Sequence, residues 1–195
     1  MQRIGIFGGS FNPPHVAHLI GAEVAREALH LDKVLLLPAS IPPHKQKMKL
    51  PDPAVRLRMV EAAVADNPYL EACDLELRRE GPSYTVDTLK ELRGQYPGAQ
   101  FVLIIGMDNL EIFHSWRSSD EILSLAELGV MVRPGYAKEK VKPELLEHVS
   151  FVEIPLLEIS GTEIRKRIEQ GLSVRYFVAD PVLRIIEAEG LYKDT

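Results

Sequence analysis

Residues 4–18 constrain the fold of this chain most strongly, because a short apolar segment runs directly into two glycines and two prolines. The apolar segment is IGIF at residues 4–7, and the polar stretch GGSFNPPHVAH follows it at residues 8–18. Paired glycines let the main chain approach a bulky anion closely. His15 and His18 are spaced i, i+3, on one face of the first turn of a predicted helix over 15–29, where unpaired N–H groups also point outward. This stretch predicts a phosphate site.

Apolar segments typical of buried strands alternate with helical patterns along the rest of the chain. The predicted strands are residues 3–7, 34–37, 70–77, 101–105, 128–132 and 149–154. A second helix is predicted over 53–65, with Asp52 as its cap, and another begins at 83. The next helix has Ser118 or Ser119 as its cap and ends at 126. Later helices begin at 160 and cover 180–189. This alternation predicts an α/β fold with a doubly wound parallel sheet, whose ligands bind at the carboxyl ends of the strands.

Composition narrows the class of protein. The chain has 195 residues, of which 46% are hydrophobic, and it is interpreted as one domain over residues 1–195. No apolar run approaches the roughly 20 residues that span a bilayer, and the single cysteine, Cys73, excludes an internal disulfide. We therefore expect a cytoplasmic protein with no membrane partner.

The net charge of −5 argues against nucleic acid as a partner. A polyanionic ligand would then need local positive charge, and a basic cluster could supply it or could form a solvated loop. The cluster consists of Lys45, Lys47, Lys49, Arg56 and Arg58.

A dinucleotide-binding fold of the dehydrogenase type is the first alternative for a strand followed by glycines. That fold requires G-x-G-x-x-G and an acidic residue at the end of the second strand. Here the glycines are Gly5, Gly8 and Gly9, at a different spacing, and the second strand ends in PAS at residues 38–40. The sequence disfavours this alternative.

Residues 8–18 resemble the G-x-F-x-P-x-H-x-G-H motif of the nucleotidyltransferase superfamily, and ISGTEIR at 159–165 resembles its second motif, I-S-x-T-x-I-R. Further segments resemble the bacterial nicotinate mononucleotide adenylyltransferase family within it, so that the likeness covers essentially the whole chain. They are PPHK at 42–45, SYTVDT at 83–88, IGMD at 105–108, Trp116, RPG at 133–135 and the tail LY at 191–192. The resemblance implies a Rossmann-like sheet of the nucleotidyltransferase type with C-terminal helices.

Three residues depart from the family's usual pattern. Ala17 stands where glycine usually precedes the second histidine, and Asn12 stands where aspartate is frequent. Gly161 lies inside the second motif, where we expect it to loosen the helix start and leave room for phosphate.

The resemblance implies transfer of AMP from ATP to nicotinate mononucleotide, which gives deamido-NAD and pyrophosphate, with Mg²⁺ bound chiefly through ATP oxygens and water. It assigns catalytic roles to His15, His18, Lys45 and Arg165, and no metal ligand in the protein. The residues that it assigns to ATP are Gly8, Gly9, Ser10, Phe11, Gly106, Asp108, Arg133, Ser160 and Ile164.

Plainer alternatives accompany several of these residues. The two histidines could form a structural or zinc-binding pair, and Lys45 could be a solvated lysine. Arg165 could be a surface residue of its helix, and Asp108 could cap a helix.

Tyr84, Thr85 and Trp116 are expected to bind the acceptor, with the indole stacked on the pyridine ring and N–H or O–H donors on the carboxylate. A core role is the common alternative for a tryptophan. Alternative acceptors are nicotinamide mononucleotide and phosphopantetheine, and a non-catalytic nucleotide sensor is the alternative from another class. The sequence leaves open whether the protein is a monomer or a homo-oligomer.

Overall fold

The computed structural model describes residues 1–41, 50–132 and 143–193, with the main chain alone for 143 and 144. Its six strands are β1 (Arg3–Gly9), β2 (Lys33–Pro38), β3 (Leu70–Ala72), β4 (Gln100–Gly106), β5 (Glu127–Val132) and β6 (Val149–Glu153). They form one sheet in the order β3-β2-β1-β4-β5-β6, and every pair is parallel. This confirms the predicted doubly wound sheet, whose switch point lies between β1 and β4.

Helices connect the strands. They are α1 (Val16–Ala28), α2 (Pro53–Val64), α3 (Thr85–Gln95), α4 (Met107–Glu111), α5 (Ser119–Leu125), α6 (Pro143–Leu146), α7 (Gly161–Glu169) and α8 (Asp180–Ala188). Short 3₁₀ helices span Leu75–Arg78 and Phe113–Ser115. None of the helices in the described ranges is long and apolar enough to cross a membrane.

The core has two parts because alternate residues of each strand point to opposite faces of the sheet. Ile4, Ile6, Leu35 and Leu37 pack with α3 and α5 on one face, whereas Val34 and Leu36 pack with α1, α2 and α8 on the other. Each fully buried aliphatic side chain stabilises the fold by roughly 1.5–3 kcal/mol. With both faces covered, the carboxyl edge is left to bind ligands.

The third strand is shorter than predicted. Pairing with β2 extends only over residues 70–72, and the chain then turns, with the N–H of Leu77 donating to the carbonyl of Asp74 at 2.8 Å. Strand alternation predicts Leu75 and Leu77 on one face, but the buried neighbours are Leu75 and Glu76. The extension of the strand to residue 77 was therefore wrong.

The predicted helix starts divide into two cases. Asp52 caps α2, since its Oδ1 accepts from the N–H of Ala54 at 2.8 Å, and Pro53 begins the helix. Ser118 occupies the cap position of α5 but adopts a left-handed conformation, φ 55°, and its side chain forms no capping hydrogen bond. The boundary at Ser118 is confirmed and its capping role is wrong.

Candidate active site

A cavity of about 510 Å³ opens at the carboxyl ends of the central strands, within the size range of small-molecule sites. It brings together the two glycines that end β1, Gly8 and Gly9, and the residues predicted to bind the acceptor. Its lining comprises Gly8, Gly9, Ser10, Ala39, Glu76, Ser83, Tyr84, Thr85, Leu103, Ile104, Ile105, Asn109, Ser115, Trp116, Arg117 and Ile122.

The glycine turn is open on one side and packed on the other. A Cβ added at Gly8 would meet no atom within 4 Å, whereas one at Gly9 would lie 3.3 Å from the ring of Phe11. The Phe11 side chain is buried and packs edge-on against Phe7 and His18, with centroid distances of 6.0 and 5.0 Å. Phe11 can therefore contribute only its main chain to a ligand, while the space above Gly8 admits one.

His15 and His18 lie side by side at the start of α1, as their spacing predicts. Their rings stack with centroids 3.6 Å apart, and the N–H of His15 donates to Nδ1 of His18 at 3.2 Å. Because Nδ1 accepts a hydrogen bond, a neutral His18 carries its proton on Nε2. Nε2 is therefore the donor that His18 can offer to a phosphate.

His15 is held neutral by its surroundings. It is 7% exposed, and desolvation lowers its pKa from 6.5 to about 4. Its Nδ1 is buried and has no hydrogen-bond partner among the described residues. At neutral pH His15 therefore acts as a hydrogen-bonding group and not as a cation.

The second motif contacts the first through a hydrogen bond from the Arg165 side chain to a main-chain carbonyl. Ser160 caps α7, with its Oγ accepting from the N–H of Glu163 at 3.1 Å. Nη1 of Arg165 donates to the carbonyl of Asn12 at 2.8 Å, and its Nη2 donates to Oγ1 of Thr162 at 3.3 Å. Arg165 therefore joins the two motifs across 153 residues of sequence, so it is not an unattached surface residue.

Gly161 has a different role from the one expected. A Cβ at this position would lie 2.8 Å from the carbonyl oxygen of Asn12, a distance that real Cβ contacts essentially never show. The glycine thus permits close contact between α7 and the first motif. The expectation that it loosens the helix start was wrong, because α7 begins at Gly161 with Ser160 as its cap.

Arg56 and Arg58, the two members of the basic cluster that the structure describes, lie in different surroundings. Arg56 is 0% exposed and donates only to main-chain carbonyls, whereas Arg58 is paired with Glu189 on the surface. The expectation that these two arginines face a polyanion was wrong. Lys45, Lys47 and Lys49 lie outside the described residues, as does Arg133.

The remaining predicted ATP residues lie in different surroundings. Gly106 precedes α4, and the exposed carboxylate of Asp108 lies over it, 2.7 Å from the position of an added Cβ. Gly106 itself holds the cap position, so the alternative that Asp108 caps this helix was wrong. Ile164 is 0% exposed in the core, and its N–H donates to the carbonyl of Ser160, so its side chain cannot contact ATP.

The residues predicted to bind the acceptor also line this cavity. Tyr84 holds the cap position of α3 and Thr85 is its first residue. The guanidinium of Arg117 lies 4.6 Å from the centre of the Tyr84 ring. Trp116 lines the same space, packs against Phe113 at 5.5 Å, and has a buried Nε1 without a partner among the described residues. The main-chain N–H of Trp116 donates to the carbonyl of Phe113 at 3.0 Å, so this N–H is not available to a carboxylate.

Glu76 is a cavity residue that the sequence analysis missed. It is 7% exposed, accepts a hydrogen bond from the Thr88 hydroxyl at 2.8 Å, and also bonds the Ser83 side chain. Desolvation raises the pKa of its carboxyl group. The incorrectly extended third strand concealed it, and no pattern in the sequence pairs Glu76 with Thr88.

Comparison with known proteins identifies the family. The model of the cytidylyltransferase-like family matches residues 6–167. Two bacterial proteins named "Probable nicotinate-nucleotide adenylyltransferase" align over nearly their whole length. The one from Salinibacter ruber is 43% identical and covers 100% of both chains, and the one from Exiguobacterium sibiricum is 44% identical and covers 98% of this chain and 99% of its own.

The chain belongs to the nicotinate-nucleotide adenylyltransferase family. As a member it is a nucleotidyltransferase, which confirms the predicted enzyme class. The nicotinic acid mononucleotide adenylyltransferase of Plasmodium falciparum, solved in complex with NaAD, superposes with a TM-score of 0.80 at 18% identity. That alignment covers 100% of this chain and 99% of the solved chain, and it shows that the fold is shared.

Proposed function

We propose that this member of the family transfers the adenylyl group of ATP to nicotinate mononucleotide, using the glycine turn, the histidine pair and the second motif to hold the triphosphate. The observation that carries the proposal is that one cavity is lined both by Gly8–Gly9–Ser10 and by Tyr84, Thr85 and Trp116. A site with a phosphate turn at one end and an aromatic, hydroxyl-bearing pocket at the other suits two nucleotides whose phosphates meet.

The reaction requires alignment more than acid–base chemistry. An oxygen of the acceptor's 5′-phosphate attacks the α-phosphorus of ATP, and a new P–O bond forms. The bond from that phosphorus to the bridging oxygen breaks, and pyrophosphate leaves with the electron pair. The attacking phosphate is already largely ionised, so the protein supplies positioning and stabilisation of negative charge.

The phosphate side has neutral and charged donors in suitable places. His18 offers Nε2–H, and neutral His15 stacked beside it adds no positive charge to this pair. In the proposed complex, Arg165 and the N-terminus of α7 at Ser160 hold the β- and γ-phosphates, because a guanidinium and a helix N-terminus both favour a departing anion. Lys45 and Arg133 complete the proposed set at sequence positions beyond the described residues.

Magnesium is proposed to enter with ATP. Among residues 1–41, 50–132 and 143–193, no cluster of three or more histidine, cysteine, aspartate or glutamate side chains could hold a metal ion. A lone exposed carboxylate, Asp108, fits an ion that is bound mainly by triphosphate oxygens and water, with Asp108 contacting a bound water or a ribose hydroxyl. When bound, Mg²⁺ neutralises phosphate charge.

The pocket end supports the acid as acceptor. The start of α3 presents the Thr85 hydroxyl and helix N–H groups, and Trp116 and Tyr84 supply aromatic surface for a pyridine ring. Donors favour a carboxylate over an amide, whose NH₂ would face other donors. Phosphopantetheine has no aromatic ring that could stack on this surface, so the pocket disfavours it as the acceptor.

The test is pyrophosphate release with ATP and each acceptor in turn: nicotinate mononucleotide, nicotinamide mononucleotide and phosphopantetheine. We expect the fastest turnover with the nicotinate compound. Release with none of the three would leave the nucleotide-sensor alternative, and faster release with the amide would contradict the pocket argument.

The same assay tests the histidine pair. His18→Ala is expected to lower kcat by roughly 10²-fold or more, the loss typical of a transition-state donor. His148→Ala, at an exposed histidine near β6, is the matched control and should leave kcat unchanged. An unchanged kcat in His18→Ala would remove His18 from the mechanism.

A further inference from the structure

The guanidinium of Arg56 is buried where β1 and β2 end. Within the described part of the chain it donates four hydrogen bonds, and all four acceptors are main-chain carbonyls. Nη1 donates to Ala39 at 2.6 Å and to Ser10 at 3.1 Å, while Nη2 donates to Ser40 at 3.2 Å and Nε to Pro51 at 3.3 Å. The residue as a whole is 0% exposed.

A buried positive charge is costly unless its hydrogen bonds are satisfied, and apolar residues frequently replace such groups without loss of stability. Arg56 occupies the apolar side of α2, whose other buried residues are Met59, Val60, Ala63 and Val64. A methionine or leucine would suit that helix face equally well in terms of packing. The presence of arginine at position 56 is therefore better explained by the main-chain carbonyls to which its guanidinium donates.

Three of those carbonyls, all except that of Pro51, belong to the two halves of the proposed active site. Ser10 is part of the glycine turn proposed to bind ATP, whereas Ala39 and Ser40 follow β2. The N–H of Ser40 donates to Oγ of Ser83 at 2.9 Å, and the N–H of Ser83 donates to the carbonyl of Ile41 at 3.0 Å. Arg56 thus connects the phosphate turn to the segment that carries the acceptor pocket.

The planar peptide group makes this connection directional. In a trans peptide the carbonyl of one residue and the N–H of the next point in opposite directions. The peptide between Ala39 and Ser40 follows the rule, with its carbonyl on Arg56 and its N–H on Ser83. By the same geometry, holding the Ser10 carbonyl turns the N–H of Phe11 away from Arg56, as a phosphate donor requires.

We propose that Arg56 is a positioning residue that fixes the phosphate turn relative to the acceptor pocket, so that the two reacting phosphates meet in line. This inference rests on the proposed adenylyl transfer. Since a displacement of about 1 Å can cost roughly 10²-fold in rate, the effect should fall on turnover and much less on the binding of each substrate alone.

The experiment compares Arg56→Lys with Arg58→Lys. Lysine at 56 keeps the charge and loses the planar fork, while the control changes an exposed arginine on the same helix that is paired with Glu189. Calorimetry gives Kd for ATP and for nicotinate mononucleotide separately, and pyrophosphate release gives kcat per folded enzyme. We expect Arg56→Lys to lose about 10²-fold in kcat, with each Kd within roughly threefold of wild type, and Arg58→Lys to match wild type.

Ser83→Ala provides a second, milder variant that leaves the guanidinium in place. It removes the hydroxyl that accepts from Ser40 and should lower kcat in the same direction, again with little change in the Kd of ATP. This variant decides the matter if Arg56→Lys gives no cooperative melting transition.

Several outcomes would overturn the proposal. An unchanged kcat per folded enzyme would make Arg56 a stability residue only, and a loss confined to the Kd of ATP would make it a ligand of the triphosphate. If Arg56→Lys does not fold, an unchanged kcat in Ser83→Ala overturns it as well. A wild-type protein that releases no pyrophosphate would instead refute the proposed function, and the positioning role with it.

Discussion

The proposed phosphate end and the proposed acceptor end of the cavity are built from different parts of the chain. At the phosphate end, Gly8, Gly9 and Ser10 line the cavity, and they belong to the continuous segment 8–18, whose carbonyls at Ser10 and Asn12 accept hydrogen bonds from Arg56 and Arg165. The acceptor end combines side chains from three separate segments, around Glu76, Tyr84 and Trp116. Main-chain groups held by arginine side chains suit the triphosphate proposed to bind here, while side chains suit a choice between acceptors.

Their electrostatics differ as well. At the phosphate end, desolvation keeps His15 neutral, and the guanidinium groups of Arg56 and Arg165 donate hydrogen bonds to main-chain carbonyls. At the acceptor end, Arg117 lies over the Tyr84 ring and 3.8 Å from Asp87, and the buried carboxyl of Glu76 shares hydrogen bonds with two hydroxyls. We therefore expect changes at the first end to alter stability and rate, and changes at the second to alter the choice of acceptor.

The largest expected effect concerns His15 and the pH dependence of stability. The pKa of His15 is about 4 in the folded protein and about 6.5 when it is unfolded, so between these values the unfolded chain binds the extra proton. The stabilisation is fully present above pH 6.5 and is lost as pH falls towards 4, amounting to about 3 kcal/mol. His15→Asn removes this titration and keeps a residue that can cap α1.

Urea unfolding of wild type and His15→Asn at pH 7, 5.5 and 4.5 measures that difference. Carboxylates titrate equally in both proteins, so the difference between the two pH profiles reports on position 15 alone. If the two profiles run parallel, His15 titrates near its ordinary value and the phosphate end does not keep it neutral.

The phosphate end could be predicted from the sequence because its parts are contiguous and its chemistry depends on the main chain. The paired glycines, the cap position of α1 at His15 and the cap of α7 at Ser160 all follow from local residue types. What could not be predicted is which atoms the cations contact. Arg56 was grouped with nearby lysines, although its i, i+3, i+4 spacing to Met59 and Val60 placed it on the buried face of α2.

The acceptor end was less accessible to such reasoning. Tyr84, Thr85 and Trp116 were found through family resemblance, and the structure places all three on the cavity. Glu76 was missed because its role depends on contact with Thr88, twelve residues further along, and on a 3₁₀ turn that resembles a strand in the sequence. Long-range side-chain contacts of this kind leave no periodic pattern.

A smaller effect tests how closely the two motifs must approach. Gly161→Ala places a methyl group against the Asn12 carbonyl, so either α7 or the first motif must move by several tenths of an ångström. Because Arg165 holds that same carbonyl, we expect kcat/KM for ATP to fall by about 10-fold, with the KM of the acceptor little changed.

Steady-state kinetics with each substrate varied in turn provides the measurement for this variant. Gly94→Ala is its control, since a Cβ on that exposed helical glycine meets nothing within 4 Å. Equal behaviour of the two variants would mean that contact between the motifs does not set the geometry of the triphosphate.

The smallest expected effect is on acceptor choice, where a single hydroxyl is removed. Thr85→Val keeps the shape of the side chain at the start of α3 but loses a donor to the nicotinate carboxylate, whereas Thr85→Ser keeps it. One hydrogen bond to a charged group contributes about 1.5 kcal/mol, so the ratio of kcat/KM for acid over amide should fall roughly 10-fold or less in the valine variant alone. A fall in kcat with both acceptors and an unchanged ratio would place Thr85 with the phosphate end, and the division between a rate-setting end and a selecting end would not hold.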